Sequence, residues 1–218
     1  MSNVVFFDGV DDRVVMVDSA SLKPLSAVTI IVRFKFWIGT QGVYFRSFYN
    51  KYGGGGGYFL GNKSVTMVPY SELTGVSTSP IEGTRKMNPS TIYHLSVAYD
   101  ATAGANNFRL YLDGQKIVEK TGINNIIDTT GIDATLSPAG YPANCIIYEV
   151  QVYNRQLTDS EVLYNFMRPN NPIRRGIQLN LTQDSIQGAQ WLDLSGNNNH
   201  GTYVGGALPT VANLLCGR

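Results

Sequence analysis

Residues 28–38 read "VTIIVRFKFWI". Ile30, Val32, Phe34, Phe36 and Ile38 fall on one face, and Arg33, Lys35 and Trp37 on the other. A period of two over so long a run, rich in β-branched and aromatic residues, predicts a strand with one buried face. The pattern recurs on moving outward. In "TIYHLSVAYD" (91–100), Tyr93, Leu95, Val97 and Tyr99 point one way and His94 and Ser96 the other. "NFRLYLDGQKIV" (107–118) turns Phe108, Leu110 and Leu112 inward, and its Asp113-Gly114 supplies a tight hairpin turn, since glycine accepts positive φ without steric cost. "CIIYEVQVYNR" (145–155) is a further strand, with Ile146, Tyr148, Val150 and Val152 expected on one side.

One segment has helical spacing. In residues 158–167, "TDSEVLYNFM", Thr158 and Glu161 stand at capping-box separation, Val162, Leu163 and Phe166 form a short apolar stripe, and Pro169 and Pro172 close it. Many strands, frequent Gly and Asn turns and a single short helix predict an all-β chain folded as an antiparallel β-sandwich. From Gly176 onward, short strand-like pieces ("GIQLNL", "AQWLDL", "GTYV") are joined by "SGNNNHG".

The 218 residues suffice to bury a substantial core without staples. Charged residues are 15%, against the usual ~25%. Lys plus Arg number 17 and Asp plus Glu 16, so the net charge is +1, which gives no electrostatic footprint for nucleic acid or an anionic bilayer. No apolar run approaches the ~20 residues of a membrane span. The opening "MSNVVFFDG" enters a strand pattern at once, without the regions of a signal peptide. Cys145 and Cys216 are too few for a disulfide framework or a cysteine zinc site. They leave three cases open: an internal disulfide, an intersubunit bond through Cys216, or two free thiols.

Residues 6–17, "FFDGVDDRVVMV", set an Asp-Gly turn and two more aspartates between apolar runs, which predicts a hairpin tip. Calcium takes several carboxylate and carbonyl oxygens, so Asp8, Asp11 and Asp12 are candidate ligands. The competing expectation is an Asx turn at Asp8, with Asp11 and Asp12 solvated or capping amides. "KYGGGGGYFLGNKS" (51–64) fails as a phosphate loop, because Asn62 separates Gly61 from Lys63 and no helix pattern follows. Around that run, Tyr49, Tyr52 and Tyr58 are either partly buried strand residues or platforms for sugar rings. Trp37, on a polar strand face, has the character of a platform or a protein contact. Asn62 and Asn180 match glycosylation acceptors, and His94 and His200 lack further ligands at metal spacing.

These residues also carry a family resemblance. The opening through "IIVRFKF", the "IYHLSVAYDATAGANNFRLYLDGQKIV" hairpin, "IIYEVQVYNRQLTDSEV" and "WLDLSGNNNHGTYVGG" together resemble a LamG-like (laminin G-like) domain of the concanavalin A-like lectin/glucanase superfamily. The resemblance implies a jelly roll of two curved antiparallel sheets, with calcium at loop rims in many relatives. The sequence departs from the family at two points. The "DLSGNNNHG" element follows the helix instead of preceding the "FDG" strand, and Tyr148 stands where relatives carry an aspartate. Residues 1–172 are therefore expected to form the sandwich, and 173–218 to complete it or to contact a neighbouring subunit.

Glucanase relatives use Glu-x-Asp-x-x-Glu, which puts three carboxylates on one strand face. Glu72, Glu82, Glu119, Glu149 and Glu161 all lack an Asp two residues later, so catalysis of that type is disfavoured. The expectation is a non-catalytic module for a glycan or cell-surface ligand, contacted through Trp37, Tyr52 and Tyr58, with calcium as the one candidate cofactor. The alternative is a structural protein (capsid, decoration or spike) whose sandwich makes subunit contacts. A lectin-like fold without a leader fits a virion surface or another extracellular setting, as a homo-oligomer or with other particle proteins.

Overall fold

The computed structural model describes residues 4–23, 26–37, 45–53, 56–63, 66–74, 81–122 and 128–205. The first half contains β1 (Val5–Asp8), β2 (Arg13–Met16), a 3-10 turn (Ala20–Leu22), β3 (Ala27–Phe36), β4 (Phe45–Gly53), β5 (Gly56–Lys63), β6 (Val68–Thr74), β7 (Ile81–Glu82) and β8 (Ile92–Asp100). The second half contains β9 (Phe108–Leu112), β10 (Gln115–Lys120), β11 (Ala134–Leu136), β12 (Asn144–Tyr153), α1 (Asp159–Met167), β13 (Ile177–Thr182), β14 (Ile186–Gln187), β15 (Gln190–Trp191) and β16 (Gly201–Val204).

Among the described residues these strands form two antiparallel sheets packed as a sandwich. Sheet I runs β1-β12-β3-β8-β9-β10, and β13 shares the β12 edge that β1 uses. β1 pairs with residues 144–147 of that strand and β13 with residues 149–153. Sheet II runs β14-β15-β16-β2-β11-β4-β5-β6-β7. The segment after α1 thus contributes β13 to sheet I and β14–β16 to sheet II.

The core between the sheets holds the residues that alternation selects. Ile30, Val32, Phe34 and Phe36 of β3 meet Tyr93, Leu95, Val97 and Tyr99 of β8 and Phe108, Leu110 and Leu112 of β9. Ile38 lies outside the described residues. The β9–β10 turn has φ of 53° at Asp113 and 74° at Gly114, the geometry a two-residue hairpin needs. A second apolar cluster lies on the outer face of sheet I, where Leu157 and Val162 cover Ile31, Ala98, Tyr111 and Tyr153. The capping box forms as its spacing predicts, with Thr158 and Glu161 bonding reciprocally. Tyr111 and Asp159 (2.8 Å), and the Arg155–Glu161 pair, hold the helix to its sheet.

Two expectations need correction. The "FDGVDD" stretch closes no hairpin: β1 belongs to sheet I and β2 to sheet II, so residues 9–12 cross between the layers. Four residues reach ~13 Å when extended, enough for the ~10 Å between packed sheets. Val5 and Phe7 enter the core from one side, and Val14 and Met16 from the other. Alternation is the same for a hairpin and a crossover, so it could not separate them.

In β12 the register slips between Ile147 and Glu149. Cys145 and Ile147 face the core with Val150 and Val152, while Ile146 and Tyr148 lie on the outer face. The extra residue of a bulge reverses the phase, which a strict period of two misassigns. The Cys145 thiol is buried in the core, and Cys216 lies outside the described residues.

Lys51 of sheet II is a wholly buried cation. Lys51 donates to Asp18 Oδ1 at 2.7 Å and to the Ile132 carbonyl. Asp18 Oδ2 accepts from Lys23 at 2.8 Å and from the Gly131 amide at 2.7 Å.

Candidate functional site

The residues expected from sequence to act at a site separate into three places. Tyr58 is 2% exposed, with its ring in the core, so it is not available to a ligand. Gly57 and Gly61 around it gave no side-chain alternation from which to infer its side. Tyr49 is buried as well. Tyr52 is 38% exposed on the outer face of sheet II. Trp37 is on the opposite layer: it directly follows β3 and packs half-buried against the outer-face cluster of Val4, Ile146 and Tyr148. Its carbonyl accepts from Arg46 Nη1 at 2.7 Å. Tyr52 is six residues beyond Arg46 on β4, or ~20 Å along a strand. Trp37 and Tyr52 cannot serve one small ligand.

The structure instead brings Trp37 to the acidic crossover. Its N–H donates to Asn144 O at 3.0 Å, and Asn144 pairs with Asp8 across the β1–β12 ladder. Phe6 and Asp8 share the outer face of β1, since Val5 and Phe7 enter the core. The Phe6 and Trp37 rings meet edge to face at 5.9 Å. An aromatic pair and the aspartate turn therefore meet at one end of sheet I.

The turn itself is well defined. Asp8 Oδ1 accepts from Val10 N at 2.7 Å, the Asx turn that an Asp-Gly pair favours. Asp12 Oδ2 accepts from Asp8 N at 3.1 Å. Gly9 adopts φ of 81°, and a Cβ there would come within 3.0 Å of the Asn144 side chain. One oxygen each from Asp8, Asp11 and Asp12 lies within 4.8 Å of the others. Asp8 and Asp11 are exposed and Asp12 is buried. Asp11 makes no hydrogen bond among the described residues. The donor set is all oxygen with concentrated negative charge, which suits a hard cation.

From Trp37 the outer face continues toward α1 as a strip of cations over rings. Lys35 Nζ is 5.4 Å from the Trp37 ring centre, and the Arg33 guanidinium is 5.8 Å from that of Tyr148. Neither cation makes an ion pair or hydrogen bond among the described residues. Arg33 pairs across the ladders with Glu149 on one side and His94 on the other. Burial pushes the Glu149 carboxyl up to about 8, against the Gln151 hydrogen bond and the Arg33 charge. Burial, with the Arg33 charge, lowers His94 to about 3. In the sequence, His94 reads as an ordinary surface or hydrogen-bonding residue; it is buried, with Nδ1 3.3 Å from Ser96 Oγ. It is covered by Phe166 of α1, whose ring centre is 5.6 Å away. Gln151, Tyr153 and Asn165 continue the buried polar row, with Asn165 Nδ2 donating to Gln151 Oε1 at 3.1 Å.

The "DLSGNNNHG" element has an architectural role. The Asp193 carboxylate accepts from the amides of Asn180 (2.9 Å), Ser195 (2.9 Å) and Asn199 (3.0 Å). Asn199 Nδ2 donates to Ser21 Oγ at 2.8 Å, binding the loop to the early chain. Asn62 and Asn180 are both buried, so neither side chain is presented as an acceptor for a glycan.

Sequence reading missed Phe6, Asn144 and Tyr148 as neighbours of Trp37. Phe6 was available from alternation in "VVFFD"; Asn144 and Tyr148 depend on long-range pairing and on the bulge. It also missed an aromatic group on sheet II, where Phe59 contacts Tyr70 at 5.3 Å and Tyr141 at 5.6 Å. Phe59 and Tyr70 are buried, and only Tyr141 of the three is exposed.

Comparison with known proteins places this geometry in context. A protein-family model described as the Concanavalin A-like lectin/glucanases superfamily matches residues 8–163. A search of the curated proteins returned no match. Among solved structures, a candidate carbohydrate-binding protein from Bacteroides ovatus superposes with a TM-score of 0.70 at 14% identity, over 94% of this chain. This chain spans 58% of that one. A heptameric SAP-like pentraxin from Limulus polyphemus gives 0.54 at 12% identity, over 81% of this chain and 84% of that one. The CBM40 of a Ruminococcus gnavus IT-sialidase, bound to α2,3 sialyllactose, gives 0.51 at 20% identity, over 66% and 85%.

Proposed function

The chain belongs to the concanavalin A-like lectin/glucanases superfamily, and we propose that within it the protein is a non-catalytic carbohydrate-recognition module working on a virion or another extracellular surface. The single observation that carries this reading is the junction of Trp37 and Phe6 with the Asp8–Asp12 turn. An amphipathic ring beside concentrated carboxylate oxygens supplies an apolar face for a sugar ring and, with calcium, a Lewis-acidic centre for its hydroxyls. The carbohydrate-linked relatives from Bacteroides ovatus and Ruminococcus gnavus support the same reading. The missing Glu-x-Asp-x-x-Glu motif favours binding over hydrolysis, and Glu149, whose pKa would suit an acid, is buried.

Calcium held by Asp8, Asp11 and Asp12 is part of the proposal. Calcium at 100 times its dissociation constant is expected to add about 2.7 kcal/mol to the stability of the fold. Asp11→Asn is the informative variant, because the Asp11 side chain makes no hydrogen bond among the described residues. It is expected to melt like the parent without calcium and to lose the calcium-dependent rise. Equal calcium responses in parent and variant would remove the metal from the site.

Glycan-array screening, followed by calorimetry on the hits, tests recognition. Trp37→Ala is expected to weaken a hit by about 1–3 kcal/mol, the scale of an aromatic anchor. Tyr52→Ala, on the opposite face, is expected to leave it unchanged. The reverse ranking would move the site to sheet II.

A further inference from the structure

We infer that the outer face of sheet I beside Trp37 takes an anionic saccharide, with Arg33 and Lys35 recognising its carboxylate or sulfate groups. This inference rests on the carbohydrate reading above and specifies the ligand class of the same site. Arg33, Lys35 and Trp37 alternate along one strand face, so successive side chains are about 6.7 Å apart. Each cation lies over a ring, Arg33 on Tyr148 and Lys35 on Trp37, which positions it without neutralising it.

Among the described residues neither cation has a carboxylate within salt-bridge distance. Other cations of the chain are neutralised by pairing, among them Lys63 with Glu82, Arg109 with Glu119, and Arg155 with Glu161. Glu149, the carboxyl nearest Arg33 in the ladder, is buried and favours its protonated form at neutral pH. It therefore leaves the guanidinium charge in place. His94, on the other flank of Arg33, is held neutral and adds none. The strip thus presents two uncompensated positive charges next to two aromatic rings. A ligand with a ring face for Trp37 and an anionic substituent two residues further along the strand complements both.

The acidic turn lies at the other end of the same row, beyond Trp37. The two ends differ in sign, so a bound chain is oriented, with its anionic residue toward α1. A neutral glycan would leave both cations unmatched.

The test is an array carrying neutral, sialylated, uronate-containing and sulfated glycans, probed in calcium with the full chain. The expected hits are acidic. Arg33→Gln and Lys35→Gln are each expected to weaken a hit about tenfold or more, with melting temperatures close to the parent's. Raising sodium chloride from 50 to 500 mM is expected to weaken it as well. Neutral hits that ignore both substitutions would overturn this inference and leave carbohydrate recognition standing. An array without any hit would overturn both. Tighter binding of poly-L-glutamate than of any acidic glycan would also overturn it, in favour of an acidic protein partner.

Discussion

Replacing Glu149 with glutamine is expected to stabilise the protein by about 3–4 kcal/mol at pH 7 and by almost nothing at pH 4. The carboxyl is 3% exposed, and its Oε2 has no hydrogen-bond partner among the described residues. Burial raises its pKa in the fold to about 8, whereas an unfolded glutamate titrates near 4.3. A raised folded pKa means that the fold binds the proton more tightly than the unfolded chain does. The associated stability is complete below about pH 4 and is lost progressively as pH rises toward 8. Each pH unit in that window costs up to about 1.4 kcal/mol. Glutamine keeps the shape and the Gln151 contact without the ionisation, so its advantage over the parent grows with pH. Urea unfolding at pH 4.5, 6 and 7.5 measures the slope. Parallel stability curves for parent and variant would mean that the carboxyl is not buried as a neutral acid.

The opposite sign is expected at Asp18. Asp18→Ala should cost about 3–5 kcal/mol, because it strands a buried cation. Lys51 is 0% exposed, and among the described residues only Asp18 and the Ile132 carbonyl bond its ammonium. Desolvation pushes the Asp18 carboxyl up, but bonds from Lys23, Lys51 and the Gly131 amide together outweigh it and hold the group well below the usual range. A lowered folded pKa gives stability that is present above about pH 3.9 and is lost as pH falls further. The double variant Asp18→Asn, Lys51→Met removes both charges and is expected to recover most of the loss, since the cost arises from an unpaired charge and not from a missing contact. A double variant as unstable as the single one would contradict that account.

The sequence made much of this fold legible, and the failures have identifiable physical causes. The β3, β8 and β9 faces follow a period of two because one side of each meets a continuous core. The β9–β10 turn and the α1 cap depend on residues adjacent in sequence, so local chemistry sufficed for them. Tyr148 was misassigned because a bulge is a property of two strands together. The burial of His94 was not legible because α1 covers the outer face of sheet I, which converts a polar alternate position into an enclosed one. Lys51 and Arg46 look like solvent-facing residues of a strand, yet both are buried. For Lys51 the partner, Asp18, comes from a distant segment. At the site, the candidate metal ligands could be read from composition, and Trp37 from its place on a polar face. That the two adjoin could not be read, because the link runs through Asn144, more than a hundred residues away.

The shared edge of β12 has a consequence for the order in which the chain assembles. The meander β4-β5-β6 and the run β8-β9-β10 pair neighbours in sequence, so their loops close cheaply and early. β1 must wait for β12, and β2 for β16, with Val15 meeting Thr202 only after nearly the whole chain is in place. Two preformed ribbons would therefore drift as separate halves until the first and last strands close over them together. The step expected to be slow in refolding is then the docking of the early strands with the late ones, completed by the Asp193 loop, which joins β13 to the early 3-10 turn.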